Sequence, residues 1–144
     1  MNRKGFTFVE LLTIIVILAI ASLVTASSLL KVINSARVEA AEAKAWKTIA
    51  EVNSAYMKAQ TLGYKDSAST GVRFENNVLI VNIIENPMFG TYKIELNGGK
   101  PIAGTVEINT STNRVTCHDL EFSVNGHYKC NTNDEGTEMN CQKQ

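Results

Sequence analysis

Arg3, Lys4, Gly5, Phe6 and Glu10 are the residues of this 144-residue chain whose types and spacing could carry chemistry. Two cations precede a Gly-Phe peptide bond, and a lone carboxylate follows it. Beyond Glu10, residues 11–30 contain no charged side chain. A carboxylate at the mouth of such a run is costly, and an ionisable residue there marks a functional position by default. An ionised carboxylate in apolar surroundings needs an opposite charge to compensate it.

The second group is Cys117, His118, His127, Cys130 and Cys141, all within the last 28 residues. Four nitrogen and sulfur donors would suit zinc. The spacing does not form paired ligand knuckles, and adjacent Cys117 and His118 point to opposite faces of a strand. A Cys/His nucleophile lacks an orienting third residue. Asp134 and Glu138 are too sparse for a calcium loop, and no glycine-rich phosphate loop is present. The reading is therefore a non-enzyme with no cofactor and no metal.

The element that must position Glu10 is a helix. Residues 6–30 are 25 in number with Glu10 as their only charge, and as a helix they reach about 37 Å, enough to cross a hydrocarbon core. Arg3 and Lys4 favour an N-in orientation, a bias that Lys31 and Arg37 weaken. Two plain alternatives exist. One is a secretory signal peptide with a small-residue site at Ala19-Ile20-Ala21, and the other is a generic single-span anchor. Neither accounts for Gly5, Phe6 and Glu10 together, and helical character continues far past the site at Ala21.

The basic leader, the Gly5-Phe6 junction, Glu10 and the surrounding Thr7, Phe8, Val9, Leu11 and Leu12 together resemble the type IV pilin signature, shared by pilins and by the pseudopilins of type II secretion and competence systems. The resemblance implies cleavage between Gly5 and Phe6 by prepilin peptidase, N-methylation of the new Phe6 terminus, and pairing of Glu10 with the Phe6 ammonium of a neighbouring subunit. The alternative for Glu10 is snorkelling to the interface. The resemblance further implies a homo-oligomeric helical filament, an assembly platform with its ATPase, contact with membrane lipid before assembly, and a passage from cytoplasmic membrane to cell surface. One departure stands out. The position where many pilins carry a helix-breaking proline is Ser27, and no proline precedes Pro87. Hydroxyls there can bend a helix mildly but cannot force a break.

Residues 31–62 hold no glycine or proline. Ala45, Ile49, Val52, Tyr56 and Ala59 fall on one helical stripe, with charges on the other faces. Gly63 supplies a stop. The helix is expected to run from about Phe6 to Leu62, on the order of 85 Å if continuous. Trp46 is read as an anchor between helix and sheet, or else as a contact to another subunit.

The remainder reads as strands: 78–84, 91–96, 105–108, 114–117, 120–124 and 127–130, with turns at Asn97-Gly98-Gly99, at 109–113, and at Asn125-Gly126 as a two-residue hairpin. The hairpin resembles the last one of some Gram-positive pilins. The expected fold class is α+β, the pilin fold: a long N-terminal helix on an antiparallel meander of four or five strands. The expected division is a leader at 1–5, an apolar helix at 6–30, an amphipathic continuation at 31–62, a connecting loop at 63–77, the sheet at 78–130 and a polar tail or loop at 131–144. A Cys130–Cys141 disulfide would pin that last segment, as in many pilins. Cys117–Cys130 is the competing pair, though a two-residue hairpin puts Cys130 opposite Glu121, and a fully reduced state is the third alternative.

Net charge is zero, and two of the 14 basic residues lie in the leader, leaving 12 against 14 acidic ones. No basic patch suggests nucleic-acid contact. The function expected from the resemblance is a structural pilus subunit, with a pseudopilin as the second reading and a membrane-anchored or secreted binding domain as the third.

Overall fold

The computed structural model describes residues 5–63, 72–83, 88–89, 92–93 and 96–144. One helix, α1 (Phe8–Thr61), precedes eight strands: β1 (Val72–Glu75), β2 (Val78–Ile83), β3 (Met88–Phe89), β4 (Tyr92–Lys93), β5 (Ala103–Asn109), β6 (Arg114–Ser123), β7 (His127–Thr132) and β8 (Met139–Lys143). The chain is α+β, with a long N-terminal helix followed by an antiparallel sheet. It divides into two compact units, Met1–Ala36 and Arg37–Gln144.

In the first unit, every side chain described is exposed, and the helix is apolar. Two of its hydroxyls turn inward to their own backbone. Thr13 Oγ1 donates to the Val9 carbonyl at 2.8 Å, and Ser22 Oγ donates to the Leu18 carbonyl at 2.7 Å. Such back-bonding hides polar groups that an apolar environment could not hydrate. Helical backbone continues unbroken through residues 25–28.

In the second unit, the buried stripe is Ala41, Ala45, Thr48, Ile49, Val52 and Tyr56. Ala59 is half-buried at its end. Thr48 is tolerated at zero exposure because its hydroxyl donates to the Lys44 carbonyl at 2.9 Å. Trp46 lies off this stripe and is 38% exposed, so it does not anchor helix to sheet as expected. The helix closes where Gly63 adopts φ 75° and its N–H bonds the Gln60 carbonyl at 3.0 Å. That left-handed conformation suits glycine because it has no Cβ.

The main sheet has six strands in the order β1-β2-β5-β6-β7-β8, and β3-β4 forms a separate two-stranded ribbon. Leu79, Val81, Ile83, Val106, Ile108, Cys117, Leu120, Phe122, Tyr128, Cys130 and Cys141 join the helix stripe in one core. Two expectations fall short at the ends. The segment 63–77 contains strand β1, and the segment 131–144 contains strand β8, so both former connections contribute outer strands to the sheet. Of the strand expected at 91–96, residues 92–93 form β4, while 91, 94 and 95 lie outside the described residues, as does residue 84 of the run expected at 78–84.

The two strands expected at 114–117 and 120–124 are one strand with a bulge. Cys117 and Leu120 share the buried face although they are three residues apart. Asp119, at φ 51°, absorbs the extra residue, and the β5–β6 register shifts between Ala103 and Thr105. Side chains of β7 replace ladder bonds here. The Asp119 N–H donates to Asn131 Oδ1 at 2.7 Å, and the Cys117 N–H donates to Thr132 Oγ1 at 2.9 Å.

The hairpin after β6 has three loop residues instead of two. Ser123 pairs with His127, Phe122 with Tyr128, and Leu120 with Cys130. Burial selects this register. It sets fully buried Phe122 beside buried Tyr128, whereas a two-residue loop would set Phe122 against Lys129. A one-residue slip would turn every β7 side chain to the wrong face.

The segment after residue 96 rests on the helix through two glycines. The Gly98 N–H donates to Glu51 Oε1 at 2.8 Å. A Cβ on Gly99 would collide with Thr48 Oγ1 and sit 2.7 Å from the Lys44 carbonyl oxygen, which is helix backbone. Gly99→Ala therefore must push the segment off the helix. A cost of about 1–3 kcal/mol is expected for this overpacking, read as a lowered thermal midpoint of the full-length chain in detergent. An unchanged midpoint would contradict the close approach.

Candidate functional site: the N-terminal turn of α1

Glu10 sits at the third position of α1, where it closes a reciprocal cap with Thr7. The Thr7 N–H and the Thr7 hydroxyl both donate to Glu10 Oε2, each at 2.8 Å. The Glu10 N–H points back to Thr7 Oγ1 at 3.3 Å, and the Leu11 N–H reaches the Thr7 carbonyl at 3.2 Å. This is a capping box with Thr7 as N-cap and Glu10 three residues on. It explains why the helix begins at Phe8 and not at the expected Phe6. The Thr-x-x-Glu spacing of Thr7 and Glu10 is the sequence signal of such a cap.

The box gives Glu10 two roles at once. It orders the first turn, where a negative charge also opposes the helix dipole. It also fixes the direction of the carboxylate, because Oε2 is held by Thr7 while Oε1 makes no hydrogen bond among the described residues. Phe6 is 76% exposed, and Gly5 has open space around it. The Gly5–Phe6 peptide is therefore free of covering side chains among the described residues. From Phe8 to Ile33 the large apolar side chains described are 44–78% exposed. α1 is the one helix among the described residues that is long and apolar enough to cross a membrane.

The cysteine and histidine cluster is not assembled as a unit. Cys130 and Cys141 face each other directly across β7 and β8 and form a disulfide. Cys117 is a free, fully buried thiol whose Sγ lies 3.9 Å from both the Cys130 carbonyl oxygen and Met139 Sδ. His118 lies on the opposite face of β6 and pairs with Glu107 at 4.0 Å, while His127 pairs with Ser123 at the hairpin mouth. No three His, Cys, Asp or Glu side chains converge among the described residues.

Burial pushes the Cys117 thiol up from 9.0 to about 11, against the smaller effect of hydrogen bonds with Thr132. A raised acid constant in the fold means that the neutral thiol is favoured there. Its contribution to stability is complete below pH 9 and is lost as pH rises toward 11. The stability difference between the native chain and Cys117→Ala is expected to shrink across that window, measured by denaturant unfolding at stepped pH. A constant difference would show that the thiol does not titrate with unfolding.

The family model of the prokaryotic N-terminal methylation motif matches residues 1–26. Searches of curated proteins and of solved structures give no match. The motif implies processing by prepilin peptidase and, with the apolar helix, a precursor anchored in the membrane. The matched segment is of prepilin type, and it supports a type IV pilin-like or pseudopilin precursor.

Proposed function

We propose that the chain is the structural subunit of a type IV pilus. Prepilin peptidase cuts the Gly5–Phe6 bond on the cytoplasmic side, and the new Phe6 amine is methylated. An assembly platform and its ATPase then lift the subunit from the membrane into a helical homopolymer on the cell surface. The single observation that carries this reading is the state of the first unit. Its described apolar side chains are exposed along the helix, the Thr7, Thr13 and Ser22 hydroxyls are bonded within the helix, and its one carboxylate lies at the N-terminal turn. Such a surface must be covered, first by lipid and then by the same surface of neighbouring copies.

Glu10 supplies registration in this reading. With Oε2 held by Thr7, Oε1 is the face left to meet the Phe6 ammonium of an adjacent subunit. The charges need each other because neither is hydrated in a helix-lined core. The sheet of the second unit becomes the outer surface, where loops carry recognition.

Mass spectrometry of the mature N-terminus is the direct test. A chain that begins at methylated Phe6 is expected. A start at Ser22 would identify a secreted protein and end this reading. Electron microscopy of cells then divides the pilus from the pseudopilin: long surface fibres that contain this chain are expected, and a short rod confined to the envelope would favour secretion or competence machinery.

A further inference from the structure

We propose that Asn97 is a self-modification site, in which Glu51 takes the proton of the Gly98 amide as that nitrogen closes on the Asn97 side-chain carbonyl carbon. Several observations meet here. The Gly98 N–H already donates to Glu51 Oε1 at 2.8 Å, across 47 residues of sequence. The other carboxylate oxygen, Oε2, is buried and has no hydrogen-bond partner among the described residues. Asn97 itself is exposed, and glycine follows it, so no Cβ shields the attacking nitrogen.

An amide nitrogen becomes nucleophilic only as its proton departs, and a base within hydrogen-bond reach of that proton assists the step. The bond that forms joins Gly98 N to Asn97 Cγ. The bond that breaks is the one from Cγ to the side-chain nitrogen, which leaves as ammonia with the proton that Glu51 carried. The carboxylate is thereby regenerated. Water then opens the five-membered imide at either carbonyl and leaves aspartate or isoaspartate at position 97. Nothing is oxidised or reduced, and water is the only co-reactant.

The chain holds one other Asn-Gly pair, Asn125-Gly126, which is likewise exposed but differs in its backbone and hydrogen bonding. Asn125 is fixed at φ 51° in the three-residue hairpin loop, where the Val124 N–H bonds the Gly126 carbonyl at 2.9 Å. No carboxylate accepts the Gly126 N–H among the described residues. It serves as a reference site within the same molecule.

The modification would be felt in the fold. Isoaspartate adds a backbone atom beside Gly98 and Gly99, where no room exists. A Cβ on Gly98 would collide with the Lys47 side chain and lie 2.7 Å from Glu51 Oε1. The new carboxylate would also stand one residue from the Glu51 contact and repel it. The loop could not keep its seat on the helix.

The test ages the full-length chain in detergent at neutral pH and follows both asparagines by peptide mapping, with a synthetic peptide of residues 92–102 as the unstructured reference. Asn97 is expected to convert about tenfold faster than Asn125 and faster than in the peptide. Glu51→Gln still accepts the N–H but is no base, and is expected to slow Asn97 about tenfold while Asn125 is unchanged. Conversion of Asn97 slower than in the peptide would mean that the hydrogen bond protects the site, and the proposal would be wrong. A rate that stays the same or rises in Glu51→Gln would overturn it equally.

Discussion

Glu10→Gln is expected to cut filament yield by more than tenfold while leaving the precursor helical and in the membrane. The choice of glutamine separates two functions that one carboxylate performs. Glutamine at the third helical position still completes a capping box with Thr7, so the first turn stays ordered. Only the charge is removed. If assembly depends on pairing with a neighbouring Phe6 ammonium, this variant leaves that amine buried without a counter-ion, which is the costly way to break a pair. Glu10→Ala removes both charge and cap and is expected to be at least as severe. Thr7→Ala makes the complementary separation: it loses the cap and keeps the charge, and assembly is expected to fall less. Filaments are counted by electron microscopy after shearing, and the precursor is followed by immunoblot to show that cleavage still occurs. Normal fibre numbers in Glu10→Gln would remove the electrostatic account of registration, even if Glu10→Ala were defective, because the cap alone would then explain the loss.

The readability of this chain tracks the range of the forces involved. The α1 stripe through Ala45, Ile49, Val52 and Tyr56 was legible because helical periodicity is local, and each of these residues is buried. The N-terminal turn was legible as a motif, although the part played by Thr7 needed geometry. Strand existence was often visible, while strand register was not. The Asn125-Gly126 dipeptide announced a hairpin, but whether Tyr128 or Lys129 opposed Phe122 depended on which face met the core. The same limit hid β8. Met139, Asn140, Cys141, Gln142 and Lys143 look polar, and they form a strand because Cys141 turns inward opposite Cys130 while its neighbours face out. β1 escaped for a different reason. Its link to β2 is Asn76-Asn77, both with positive φ at 48° and 65°, a turn in which two asparagines stand where glycine is the familiar signal. The bulge at Asp119 broke the alternation of β6 and made one strand read as two.

Reduction of the Cys130–Cys141 disulfide is expected to lower stability by about 3 kcal/mol, since closing a loop of this size constrains the unfolded chain by roughly that amount. The two cysteines are 11 residues apart. The location makes the effect larger in structure than in energy. β8 is an edge strand of five residues whose sole ladder among the described residues is with β7. Cys141 and the partly buried Met139 are its contributions to the core. Without the covalent link these contacts alone must hold the strand, and a short edge strand frays readily. Its departure would uncover Cys117, which lies 3.9 Å from Met139 Sδ and is fully buried in the intact fold. The free thiol is therefore a built-in reporter. In the oxidised chain Cys117 should resist alkylation, by burial and by a thiol held toward its neutral form. In a Cys130→Ser, Cys141→Ser double variant it should label rapidly, at temperatures below the main thermal transition, and that transition should itself shift down by roughly 10 °C or more. Equal labelling rates with and without the bridge would mean that β8 stays docked on packing alone, and the disulfide would then protect against something other than loss of the terminal strand.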